Sequence, residues 1–157
     1  LVKMSMTGAT ILFILYSALM GVTMSSIFMV YTTASIASVF FITAGTFLVM
    51  SLIGYFTRID LTRIGSILVM ALIGLIIASV VNIFLGNEVL YWVISYVGVL
   101  VFVGLTAYDT QKIKQMVAEY GSVDEMGHKL ALFGALSLYL DFVNLFLYLL
   151  RIFGDRR

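Results

Sequence analysis

Charged residues are absent between Lys3 and Arg58, and long apolar runs recur along the rest of the chain. About 20 apolar residues, each rising 1.5 Å, cross the hydrocarbon of a bilayer, so this first uncharged stretch is too long for one helix and accommodates two. Spans are predicted at 7–28 and 34–56, turning at Val30, Tyr31, Thr32 and Thr33, where small and hydroxylic residues interrupt the bulky pattern. A third span follows at 64–85. Gly86, Asn87 and Glu88 form a short polar break, another uncharged run occupies 89–109, and a fifth span falls at 130–150. The stretch 110–129 turns polar, yet Ile113, Met116, Val117 and Tyr120 recur at i, i+3, i+4 and i+7. That spacing predicts an amphipathic cytoplasmic segment continuing the fourth helix. Gly121 is placed to end it, and Ser122, Val123, Asp124 and Glu125 read as a capping box for the next helix. No domain boundary, fixed-period repeat or low-complexity tract is visible, so residues 1–157 read as a single transmembrane helical domain.

Composition turns that pattern into a class. Of 157 residues, 62% are hydrophobic and 11% charged, against about 25% charged in a soluble domain. Too little polar surface exists to cover a globule in water, so the chain reads as an all-α polytopic membrane protein whose partner is the lipid bilayer. The net charge of +1 and the lack of a basic run with interleaved aromatics argue against nucleic acid. With no cysteine, disulfides, thiolate nucleophiles and cysteine metal sites are excluded, and no cofactor is implied. The chain starts at Leu1 without a signal-peptide pattern and reads as an N-terminally truncated piece. Lys3, Arg58, Arg63, Lys112, Lys114 and Lys129 fall on one side of the predicted membrane and Glu88 on the other, which makes the basic side cytoplasmic. Arg151, Arg156 and Arg157 then end up outside, against the rule. Small residues at four-residue spacing, Ser17 with Gly21 and Ser25, and Gly74 with Ala78, predict close helix approach in lipid.

Two residues are candidates for chemistry. Asp141 lies near the middle of the last span, where an ionised carboxylate costs about 2.5 to 3.5 kcal/mol on insertion scales. Gly134, Ser137, Asp141, Asn144 and Tyr148 recur at spacings of three and four, a small and polar stripe down an otherwise apolar cylinder. Such a stripe faces protein or water and not lipid. The plainer alternative is a packing seam with a permanently neutral aspartic acid. Asp109 ends the uncharged part of the fourth helix, in the run Ala107, Tyr108, Asp109, Thr110, Gln111, with Lys112 three residues on; alone it reads as a solvated interfacial pair. Hydropathy sets Asp109 near the cytoplasmic interface and Asp141 about 18 Å deeper, counted from Lys129. His128, the lone histidine, reads as an exposed loop residue beside Lys129, with no partners placed to make a metal site.

The strings AYDTQKIK (Ala107 to Lys114) and LSLYLDFVNLFLYLLRIF (Leu136 to Phe153), with ASIASVFFITAGTF (Ala34 to Phe47) upstream, closely resemble the bacterial branch of the transmembrane Bax inhibitor motif family. The resemblance covers nearly the whole chain. It implies a seven-helix fold with six helices around a central last one, of which this chain supplies five spans and lacks the first two helices. It also implies a bacterial cytoplasmic-membrane location and a pH sensor and gate made by Asp109 and Asp141, with Ser137, Asn144 and Tyr148 as a supporting polar face, controlling a calcium leak. Two carboxyls within hydrogen-bond reach in a poorly solvated site cannot both ionise easily, so they share a proton; losing it creates repulsion that can bias the central helix. The same two residues would be the only metal ligands, a weak, transient calcium site, since calcium takes about six to eight oxygens and two carboxylates offer at most four.

Two other functions fit parts of the pattern. Paired aspartates on successive membrane helices also occur in intramembrane aspartyl proteases, but Leu138, Tyr139 and Leu140 stand where those enzymes carry glycine-x-glycine, and their proline motif cannot exist in a chain without proline. No enzyme is expected. The stronger rival is a non-conducting interaction protein that regulates a membrane-bound protease or cell-death machinery.

Overall fold

The computed structural model describes residues 6–120 and 125–156. Lys3, Gly121, Ser122, Val123, Asp124 and Arg157, and so the expected capping box, lie outside the described residues. Among those described, the elements are α1 (Met6–Ser25), α2 (Ile27–Val30), α3 (Thr33–Phe56), α4 (Thr62–Leu85), α5 (Glu88–Tyr120) and α6 (Glu125–Phe153), with no strand. Five helical stretches are long and apolar enough to cross a membrane: Thr7–Val30, Thr33–Phe56, Thr62–Leu85, Glu88–Glu119 and Lys129–Phe153. The protein is an all-α polytopic membrane bundle.

Each turn is built by local hydrogen bonding. Ser26 bends the first span, its hydroxyl donating to Thr23 O at 2.8 Å, which separates α1 from α2. Thr32 caps α3, its side chain accepting from Ser35 N. The loop between α3 and α4 carries Asp60, whose Oδ1 accepts from both the backbone N and the hydroxyl of Thr62, at 3.0 and 2.6 Å. These bonds satisfy donors that an α-helix start leaves open. At the next turn Gly86 sits at φ +61°, a left-handed conformation that costs a glycine least and ends α4. Asn82 Oδ1 accepts from Asn87 N, and Asn87 Oδ1 accepts from Leu90 N to start α5.

The polar stretch continues the fourth helix as its spacing predicts: residues 110–120 are the uninterrupted end of α5, and residues 125–129, His128 and Lys129 included, open α6. Nothing in 110–120 breaks the i to i+4 ladder, so the helix runs on past the apolar boundary. Gln111, nearly buried, then ties it to the α3–α4 loop: its Oε1 accepts from Leu61 N and its Nε2 donates to Ile59 O, at 2.8 and 2.7 Å. Lys114 Nζ donates to Tyr55 O at 2.6 Å.

α6 touches α1, α3 and α5, while α5 touches α3, α4 and α6. The two largest fully buried side chains among the described residues, Leu145 and Leu150, belong to α6. Aromatic edges join α6 to its neighbours, Phe142 to Phe40 and Phe47 of α3 with centroids 5.6 and 5.4 Å apart, and Tyr139 to Tyr16 of α1 at 6.5 Å. The glycines that permit close approach differ from those expected. A Cβ on Gly54 would collide with the Ala107 backbone, one on Gly65 with the Tyr108 ring, and one on Gly98 with the Tyr148 ring. Gly21 and Gly74 face open space. Within the described bundle α1 meets α6 and α4 meets α5 along other faces, although Ala78 packs against the core.

Candidate functional site

Asp141 is 4% exposed, in the middle of α6. Asp109 is half-buried on α5, and its carboxyl lies within hydrogen-bonding reach of the Asp141 carboxyl. The expected difference in depth of about 18 Å is therefore wrong. It was counted from the last lysine before the apolar run, whereas α5 and α6 run antiparallel and their side chains interlock along their length. Asp109 and Asp141 fall between two cross-contacts of these helices, Gly98 with Tyr148 and Gly134 with Ile113, which brings them level. The same register places Ile113 against Gly134 and stacks Phe102 on Tyr148, with centroids 5.8 Å apart.

Asp141 Oδ2 is buried with no hydrogen-bond partner among the described residues. Two threonine hydroxyls flanking Asp109 on α5 are committed to their own backbone: Thr106 Oγ1 donates to Phe102 O and Thr110 Oγ1 to Thr106 O, each at 2.7 Å. An ionised carboxylate has only acceptors, and so does its neighbour. The arrangement is chemically consistent when one acid carries a proton and donates it to the other, because two unprotonated carboxylates in contact in a poorly solvated place repel.

The rest of the polar stripe divides by role. Gly134 admits Ile113, so its lack of a side chain serves helix packing. Ser137 is half-buried one turn before Asp141. Asn144 Nδ2 donates to Leu140 O of its own helix at 2.8 Å, and Tyr148 packs on Gly98 and Phe102 of α5. Asn144 and Tyr148 also line a cavity of about 300 Å³ with Tyr31 and Arg151, toward the C-terminal end of α6. Gln111 was missed as a positioning residue. The signal for it was an amide one turn beyond the uncharged run, but its partners lie some 50 residues away in sequence and only the packing of α5 on the loop reveals them. Among the described residues no group of three or more His, Cys, Asp or Glu side chains converges, so Asp109 and Asp141 alone offer a cation few protein oxygens.

The family model described as "Inhibitor of apoptosis-promoting Bax1" matches residues 2–157. The chain belongs to this family. Within the Bax1-inhibitor family it is 58% identical over 156 residues to the inner membrane protein YbhL of Escherichia coli, covering 99% of this chain and 67% of that protein. A Borreliella burgdorferi protein is 56% identical over 155 residues, with the same two shares. A Rickettsia prowazekii protein is 51% identical, covering 99% of this chain and 65% of its own length. Like this Escherichia coli family member, the chain is an integral protein of the bacterial cytoplasmic membrane.

Proposed function

We propose that this chain forms the conducting part of a pH-sensitive calcium leak in which Asp109 and Asp141 share a proton that sets the position of α6. The observation that carries the reading is the contact of these two acids, with Asp141 Oδ2 buried and unpartnered. With the proton held between them the pair is a single hydrogen-bonded unit that joins α5 to α6. When pH rises and the proton leaves, two negative charges face each other where water screens them little, and a shift of α6 relative to α5 relieves the repulsion. A change of charge at such a packing contact is what a two-state switch requires. A calcium ion passing the pair meets at most four carboxylate oxygens, too few to hold it, and weak binding lets a permeating ion leave.

The test is calcium flux into dye-loaded liposomes bearing the purified protein, measured across pH 5 to 8. The native chain is expected to show a pH-dependent leak, and Asp109→Asn and Asp141→Asn are each expected to flatten that dependence, since neither pair can go from one charge to two. Variants whose leak keeps the pH profile of the native chain end the gating mechanism. The second reading is a non-conducting regulator of cell-death machinery or of a membrane protease, and the family description favours the first of these. Protein that folds and inserts but passes no calcium at any pH would establish it over the leak.

A further inference from the structure

The end of the bundle away from Arg58 and Lys114 carries two arginines that the distribution of positive charge does not explain. Arg151 closes the last turn of α6 and Arg156 follows it, at the same end as the α4–α5 turn. Both meet the Tyr91 ring, with guanidinium carbons 4.0 and 5.7 Å from its centroid, and Arg156 Nη2 also donates to Tyr91 Oη at 2.7 Å. Arg151 is otherwise held only by the Tyr148 ring, at 5.4 Å. Stacking engages the face of a guanidinium and leaves its in-plane N–H donors free. Among the described residues Arg151 has no hydrogen bond or carboxylate partner.

These groups line one cavity of about 560 Å³, together with the amides of Asn82 and Asn87, the carboxylate of Glu88 and the indole of Trp92. Two guanidiniums outweigh one carboxylate. The volume matches an ordinary small-molecule site, and Tyr91 and Trp92 put it at the level of the membrane interface, where aromatic side chains concentrate. We infer that this cavity is a binding site for a phosphate-type oxyanion, held in the fork of Arg151 and by Arg156, with a phospholipid headgroup or dissolved phosphate as the source. Arginine suits this task because its planar fork matches two phosphate oxygens at once. The site is independent of the aspartate pair, which lies deeper along α5 and α6.

Trp92 is the one tryptophan of the chain and lines the cavity, so its fluorescence reports occupancy directly. Purified protein in a non-ionic detergent is titrated with short-chain phosphatidylglycerol, short-chain phosphatidylcholine and inorganic phosphate. A saturable change with phosphatidylglycerol and not with phosphatidylcholine or inorganic phosphate identifies a lipid headgroup. Saturation with inorganic phosphate identifies a dissolved anion. Arg151→Gln should weaken whichever binding is seen by about tenfold or more, the effect of losing a charge-assisted hydrogen bond, and Arg63→Gln, at the other end, should not. The inference is overturned by wild-type protein that responds to neither phosphatidylglycerol nor inorganic phosphate, or that binds phosphatidylcholine as tightly as phosphatidylglycerol, a result that needs no variant to fold. Undiminished binding by Arg151→Gln overturns it as well.

Discussion

Single residues decide how closely the helices meet. Where α3 crosses α5, Gly54 faces backbone, and backbone cannot step aside as a flexible side chain can. Gly54→Ala is therefore expected to lower stability by about 1 to 3 kcal/mol, the range for overpacking a filled interior, read as a lower midpoint of thermal unfolding in detergent. Gly21→Ala, facing open space, should leave that midpoint nearly unchanged or raise it slightly through better helix propensity. Equal effects of the two would mean that the crossing is looser than drawn here. Nothing in the sequence separates these glycines, since both sit in uncharged helical runs; what differs is which face of each helix finds a neighbour. Asp141 is the opposite case. A carboxylate in mid-span must face something polar whatever the fold, and its burial was legible at once. Its partner was named only by the family resemblance and not by hydropathy, because a lone acid at the polar edge of a span looks the same whether or not another helix reaches it.

At the scale of elements, the ends of the helices were nearly all written locally. Gly86 with Asn87, and Thr32 before Ser35, are turn and capping residues that act on neighbours a few positions away. Asp60 belongs with them. The Thr62 hydroxyl first, and the Thr62 backbone N–H second, hold its carboxyl below the usual carboxylate range. A group whose folded value is depressed stabilises the fold above its unfolded value and loses that contribution as pH falls through the folded one. Protection factors at the start of α4, which correct each amide for the intrinsic slowing of exchange in acid, should accordingly be highest at neutral pH and fall as pH drops below the ordinary aspartate range. Thr62→Val removes the largest of the two bonds and should raise the Asp60 titration midpoint measured by NMR; a midpoint that stays put would show that the hydroxyl bond is not formed in solution. The extension of α5 to Tyr120 was readable from its i, i+3, i+4, i+7 pattern, but its attachment to the α3–α4 loop through Gln111 was not.

For the whole molecule, the C-terminus is fastened at the end opposite Arg58, Lys112 and Lys114. Thr32 N donates to Asp155 O at 3.0 Å and Asp155 N donates to Ser35 Oγ at 2.7 Å, which pins the chain after α6 to the α2–α3 turn. With the basic loops cytoplasmic, alkaline phosphatase fused after residue 157 should be active and a green fluorescent protein fused there dark. A bright fusion would invert the bundle or return α6 to the cytoplasmic side. The arginines that break the charge rule at this end are accommodated by tyrosine rings, which weakens their value as topology signals.

The sequence by itself determined that the protein lives in lipid, how many times the described chain crosses it, and that an acid lies in the middle of the last span. Those properties follow from apolar length and from the cost of unpaired charge in hydrocarbon, and both are sums over neighbours in the chain. Tertiary structure alone decided that Asp109 meets Asp141, that Gly54 and not Gly21 is a crossing point, and that Arg151 and Arg156 share a cavity with Asn82. Each of these depends on the register and rotation of one helix against another. Because apolar surface is nearly interchangeable in lipid, that choice is made by which small and polar side chains fit together, and hydropathy carries no record of it.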